Sequence, residues 1–88
     1  MRTKSWNVTL FLTEDDGHTT ARAVLHAGSA QEITAYGRAY RNPHDMEVPE
    51  IGDEVATARA LHALARTLLG AAEEDITALT AVSAHVGF

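Results

Sequence analysis

Residues 18–26 read HTTARAVLH and residues 32–41 read EITAYGRAYR, and in both runs small or apolar residues alternate with polar or aromatic ones. A period of two is typical of a β-strand with one buried face. The predicted inner face of the two runs holds Thr19, Ala21, Ala23, Leu25, Ile33, Ala35, Gly37 and Ala39. Because these side chains are mostly small, we expect a helix to pack closely against this face.

The preceding residues extend the same pattern towards the N-terminus. Residues 5–13 alternate as well. Their inner positions are Trp6, Val8, Leu10 and Leu12. The acidic segment at 14–17 ends in a glycine suited to positive φ, which predicts a hairpin, and Ala27-Gly28-Ser29 predicts a second turn. Short turns between consecutive strands favour an antiparallel meander of strands at about 5–13, 18–26 and 32–41.

The segment after the third strand predicts a helix. Pro49 indicates an extended approach, Gly52 or Asp53 can cap the first turn, and Gly70 stands where a glycine commonly ends a helix. We therefore expect the main helix at about 53–69. The apolar stripe expected to face the sheet consists of Val55, Ala58, Leu61, Leu64, Ala65, Leu68 and Leu69.

The C-terminal residues give a weaker pattern. An acidic start followed by Ile76 and Leu79 predicts a short helix at about 73–80. The tail at 81–88 alternates again and is expected to be extended, as an edge strand, a flap on the core or a segment exchanged with a partner. The fold class expected is a single α+β domain over residues 1–88, with a three-stranded antiparallel meander packed on one main helix in the order β-β-β-α-α.

Length and composition favour a small domain with a thin core. The chain has 88 residues and 45% hydrophobic residues, but sixteen of the latter are alanines. A domain this short buries only about 60% of its unfolded surface. We therefore expect a marginal monomer that gains stability by sharing surface with a second copy.

The charge is unevenly distributed. Twelve acidic residues against seven basic ones give a net charge of −5. Residues 1–41 hold five basic and four acidic residues, a net of +1, whereas residues 42–88 hold two basic and eight acidic residues, a net of −6. A dedicated nucleic-acid-binding domain is usually strongly basic, so any contact with a polyanion must use the first half.

Several chemistries are excluded or disfavoured. The chain has no cysteine, which excludes disulfides, thiolate metal sites and cysteine nucleophiles. Its five histidines show no metal-ligand spacing, and we expect no metal, cofactor or small-molecule substrate. No serine lies in a nucleophile motif, and the acidic clusters fit helix starts, so we expect no enzyme. Without a signal or an apolar span, the location expected is the cytoplasm, with no membrane partner.

The outer face of the sheet is the best candidate for function. It is predicted to display Phe11, Arg22, Val24, His26, Tyr36, Arg38 and Tyr40. Aromatic side chains interleaved with arginine can stack on bases and contact phosphates. The same residue types are enriched in dimer interfaces, and we favour that interpretation because only one helix is available to cover the sheet. Arg59, His62 and Arg66 on the helix are expected to be a solvated face.

Several short segments carry a family resemblance. Residues 48–55 read VPEIGDEV, and they continue through ARAL at 58–61 to Asp75-Ile76. With the Arg22-Ala23 pair and the YGRA run at 36–39, they resemble a family of small actinobacterial proteins of unknown function. These proteins have a double-stranded-RNA-binding-domain-like (dsRBD-like, dsRBFC) fold, and several of them belong to hypoxia or dormancy regulons. The resemblance implies β-β-β-α with a short C-terminal helix, a homodimer and, by analogy with ribosome hibernation factors, a ribosome-linked role.

The residues argue against the usual duplex-RNA mode of that fold. A duplex-RNA-binding domain places lysines at the start of its last helix, where they meet phosphate. Here Gly52-Asp53-Glu54 stands at that position, and acidic side chains repel phosphate. The function expected is therefore a non-enzymatic, stress- or dormancy-associated homodimer that contacts ribosomes or RNA through another surface. The alternative is a protein-interaction module whose acidic C-terminal half meets a basic partner.

Overall fold

The computed structural model describes residues 1–28, 31–41 and 49–85. Within these residues the chain forms three strands and one helix, in the order β1 (Asn7–Asp15), β2 (His18–His26), β3 (Glu32–Tyr40) and α1 (Pro49–His85). The strands form one antiparallel sheet in the order β1-β2-β3. The predicted α+β meander is confirmed, whereas the predicted order with two helices is not.

A two-residue turn joins β1 to β2. Asp16 and Gly17 both have positive φ, of 49° and 78°, as the tight hairpin turns that match strand twist require. The Arg41 backbone N–H donates to the Gly17 carbonyl oxygen at 2.8 Å, which attaches the end of β3 to this turn. The second turn contains Gly28 at φ 77°, and its predicted Ser29 lies outside the described residues.

The core lies between α1 and the inner face of β2 and β3. Ala56, Ala60 and Leu64, spaced four residues apart, are the buried helix positions, and they lie over the alanine-rich face. The sheet residues of this core are Ala21, Ala23, Leu25, Ala35 and Ala39. A Cβ added at Gly37 would overlap the Ala56 carbonyl oxygen and the Ala60 nitrogen. The helix backbone therefore rests directly on the strand at Gly37.

The predicted orientation of the helix is wrong in part. Of the predicted stripe, Leu64 is buried and Val55 and Leu68 are partly buried, but the remaining members are exposed. The exposed members are Ala58, Leu61, Ala65 and Leu69. The small-residue ridge of Ala56 and Ala60 faces the sheet because large side chains there would hold the helix away from Gly37.

The predicted helix bounds are also wrong. Instead of helices at about 53–69 and 73–80 with an extended tail at 81–88, α1 continues from Pro49 to His85, and residues 86–88 lie outside the described part. Pro49 begins the helix because its fixed φ suits the first helical position. Gly70 does not end it, since a helical glycine costs only about 1 kcal/mol and strong helix formers flank it.

The helix therefore has two halves. We call residues 52–68 the docked half and residues 69–85 the free half. Side chains 71–79 are exposed all around the helix, so no described residue covers them. The chain consequently measures 63 Å along its longest axis.

Strand β1 is also poorly covered. Helix α1 packs mainly on β3 and β2 and barely reaches β1. Leu10 is partly buried against the core, but Val8 and Leu12 are 44% exposed, and Trp6 precedes the strand and is exposed. The predicted inner face of the first strand therefore lies on the same side of the sheet as α1, but the helix does not cover it.

Candidate functional site

The register of the sheet brings the candidate residues of the outer face together. Phe11 lies opposite Arg22 on the neighbouring strand, and Arg22 lies opposite Tyr36 on the third. Arg38 and Tyr40 follow Tyr36 at alternate positions of β3, so they share its face. We call these five residues the stacking face.

Arg22 occupies the centre of the stacking face. Its guanidinium carbon lies 4.3 Å from the centroid of the Phe11 ring, a cation–π contact that orients the side chain. Arg22 is half-buried, whereas the Phe11 ring is about half exposed. A charged group is thus held beside an accessible ring.

Strand β3 repeats this arrangement at the edge of the sheet. The Arg38 guanidinium carbon lies 5.9 Å from the centroid of the Tyr36 ring, and both side chains are exposed. Alternate residues of a strand are about 7 Å apart, so Tyr36, Arg38 and Tyr40 form a row of ring, cation and ring.

The last ring of the row has a partner that the sequence analysis missed. Tyr40 is 66% exposed, and its ring meets His18 edge to face at a centroid distance of 4.8 Å. Continuing the alternation of β2 back from Thr20 would have placed His18 on this face. His18 extends the aromatic surface onto the neighbouring strand.

Val24 does not belong to the accessible surface. It lies on the outer face opposite Thr9 and Thr34, but it is only 5% exposed. A central-strand residue is flanked on both sides by neighbouring strands, which explains its burial. The prediction that Val24 is a contact residue is therefore wrong, and its place is in the floor of the face.

The ends of the outer face are mixed in charge. At one end His26 Nδ1 lies 3.4 Å from Glu32 Oε1, and at the other end Asp15 lies opposite His18. The arginines Arg22 and Arg38 lie between these ends. Positive charge is thus concentrated where the rings are, and acidic groups border it.

The basic residues of the helix do not join this face. Arg59 donates from Nη1 to the Arg38 carbonyl oxygen at 2.7 Å, which connects the helix to the backbone of the edge strand. His62 and Arg66 are exposed on α1. Arg59 therefore has a structural contact that the solvated-face prediction did not include.

The described residues show no metal-binding arrangement. No group of three His, Asp or Glu side chains converges within the part of the chain that the structure describes. In the same residues, no helix is long and apolar enough to cross a membrane. What the geometry offers is a surface for stacking and charge contacts.

The fold and its surface define a class of small α+β proteins with an open three-stranded sheet and one long helix. A sequence model of the Rv2632c-like family matches residues 4–85, and the chain belongs to this family. The uncharacterized protein Mb1767 of Mycobacterium bovis is 41% identical over 75 residues, which cover 85% of this chain and 79% of that protein. The uncharacterized protein Rv2632c of Mycobacterium tuberculosis is 36% identical over 77 residues, covering 88% and 82%.

A solved structure has the same fold. The crystal structure of Rv2632c superposes with a TM-score of 0.83 at 35% sequence identity, covering 91% of this chain and 94% of that one. The resemblance to an actinobacterial family of unknown function is thereby confirmed at the level of the family.

Proposed function

We propose that this chain is a non-enzymatic RNA-binding protein that uses the stacking face to hold unpaired bases, including those exposed on ribosomes. The observation that carries the proposal is the row of ring, cation and ring on β3 beside the Arg22–Phe11 pair. Bases stack on exposed rings while guanidinium groups meet the phosphates between them.

The position of the acidic residues favours single strands over duplexes. The first turn of α1 is acidic at Glu50, and acids repel phosphate at the helix start that duplex-RNA-binding domains use. The stacking face lies on the opposite side of the sheet from α1. A flexible single strand can follow its centre and avoid the acidic ends.

A physiological setting completes the proposal. We assign the protein to stress or dormancy, and its fold to the dsRBD-like group, on the resemblance described above. Raised abundance of the protein in oxygen-limited, non-growing cells, measured by quantitative mass spectrometry, is the expected result. Equal abundance in growing and non-growing cells would contradict this setting.

The test is binding of labelled single-stranded RNA, followed by fluorescence anisotropy at low and rising salt. Tyr36→Ala with Tyr40→Ala should weaken binding about tenfold or more, because each base–ring stack contributes about 1–3 kcal/mol. Tyr36→Phe with Tyr40→Phe keeps the rings and should bind like the parent chain. No binding at low salt, or equal loss in both double variants, would contradict the proposal.

Charge and ribosome contact are tested separately. Arg38→Gln should reduce both the affinity for RNA and the salt dependence of that affinity, whereas Arg66→Gln, which removes the same charge from the helix, should leave them unchanged.

The protein should co-sediment with ribosomes at low salt and dissociate as salt rises. Absence of co-sedimentation at every salt concentration would confine the function to free RNA or to protein partners.

A further inference from the structure

A second surface, on α1, has no role in the proposed function. Ala65, Leu69, Ala72, Ile76 and Leu79 follow one another at spacings of four, three, four and three residues. This is the a/d pattern of a coiled coil. We call these five residues the distal stripe.

The distal stripe is open to a partner. Leu69, Ile76 and Leu79 are 62%, 63% and 69% exposed. At 100° per residue the stripe is centred about 140° around the helix from the buried Ala60. A second helix can therefore lie along it without meeting the sheet.

The free half needs such a partner to be stable. An isolated helix of about 15 residues is marginal in water, and the free half makes no covering contact along 71–79. The accessible surface is 7069 Å², whereas a compact monomer of 9.5 kDa exposes about 5000 Å². The excess is more than the roughly 800 Å² per chain that a standard interface covers.

We propose that the distal stripe pairs with the same stripe of a second copy, with the two helices antiparallel. The charged residues beside the stripe favour a second copy of this chain as the partner and an antiparallel orientation of the two helices. Arg66 and Glu73 are one heptad apart, and both occupy the e position beside the stripe. In an antiparallel coiled coil the e positions of one helix lie next to the e positions of the other. Arg66 of each copy then meets Glu73 of the other, twice by symmetry.

The same register also gives complementary packing. With Arg66 opposite Glu73 of the second copy, Leu69 faces Ala72 and Ile76 faces Ala65, so these layers each join one large and one small side chain, while Leu79 faces the exposed His62. Moving the register by one heptad would bring Glu73 against its own symmetry copy and separate it from Arg66. Charge and volume thus agree on one arrangement, which is independent of the proposed RNA contact.

The experiment measures mass by light scattering after size exclusion of the full chain. The parent chain should elute at twice its 9.5 kDa. Ile76→Glu should halve that mass, whereas Thr77→Glu, which adds the same charge at an exposed position off the stripe, should leave it unchanged. Circular dichroism checks that each variant folds, and retained RNA binding separates this result from the proposed function.

The charge pair is tested by exchange. Arg66→Glu alone should weaken the dimer at least fivefold, and Arg66→Glu combined with Glu73→Arg should restore it.

A spin label tests the relative orientation of the two helices. The chain has no cysteine, so a label attached to Thr77→Cys is the only one in each copy. Antiparallel helices in this register place the two labels about 20 Å apart along the axis, whereas parallel helices place them side by side.

The overturning results are equally definite. A parent chain that is monomeric at micromolar concentration, or a dimer that survives Ile76→Glu, would refute the interface. A dimer lost instead in Arg38→Glu with Tyr40→Ala would move the interface to the stacking face. A charge exchange without recovery, or labels side by side, would refute the antiparallel register.

Discussion

The two halves of α1 have similar compositions and different surroundings. Each holds five alanines, yet the docked half buries Ala56, Ala60 and Leu64, whereas the free half leaves residues 71–79 exposed. The difference in burial comes from the sheet that packs against the docked half and not from the helix sequence. Gly37 and its alanine neighbours accept a helix backbone at close range, whereas side chains 71–79 are covered by no described residue.

The largest expected effect tests the close approach itself. Gly37→Ala should destabilise the fold by about 3 kcal/mol, because the added methyl group overlaps the backbone of α1, which cannot yield like a side chain. Urea unfolding measures the change. A loss below about 1 kcal/mol would mean that the docked half lies farther from the sheet.

A pair of leucines compares the two halves directly. Leu64→Ala should cost about 2–3 kcal/mol because it opens a cavity in the core. Leu79→Ala should change the unfolding free energy of the monomer by less than about 0.5 kcal/mol, since Leu79 is exposed. Both are measured in dilute protein, where pairing is absent. Equal losses would remove the distinction between the halves.

The glycine at the junction should respond in the opposite sense to Gly37. A Cβ at Gly70 meets nothing within 4 Å. Gly70→Ala should therefore stabilise the helix by about 1 kcal/mol and raise its circular dichroism signal. A destabilised variant would indicate that the helix needs to bend or break at this position.

The smallest effect concerns the link between the helix and the edge strand. Arg59→Ala should cost about 0.5 kcal/mol, since it removes an exposed hydrogen bond to the Arg38 carbonyl oxygen. Arg66→Ala, which removes no hydrogen bond or ion pair found among the described residues, serves as the control in dilute protein. Thermal unfolding that does not distinguish the two variants would show that this hydrogen bond adds nothing.

These differences also explain what could be predicted from the sequence. The strands were predictable because alternation and a turn that ends in Gly17 are local signals, but β1 runs to Asp15 and not to the predicted residue 13, because the turn takes only Asp16 and Gly17 of the predicted segment 14–17. The extent and orientation of α1 were not, because Gly70 is compatible with either a stop or a continuous helix and because two sides of the helix are apolar. The small residues of β2 and β3, with the close approach at Gly37, determine which side is buried.

For the candidate site too, local patterns were predictable from the sequence and burial by neighbouring strands was not. Alternation predicted that Phe11, Tyr36 and Tyr40 share one face, and their accessibility agrees with that placement. It could not show that Val24 is covered, because coverage depends on both neighbouring strands. His18 was missed although the same alternation places it beside Tyr40.

The Asp16-Gly17 turn has a consequence for the order of folding. It closes β1 on β2 with two residues, and hairpins of this kind form in about 1–10 μs. The contact between Gly37 and Ala56 must wait for a longer loop to close. We therefore expect β1, the strand least covered in the native state, to be among the first to pair. Gly17→Ala should slow refolding more than it speeds unfolding, and stopped-flow kinetics can measure both rates.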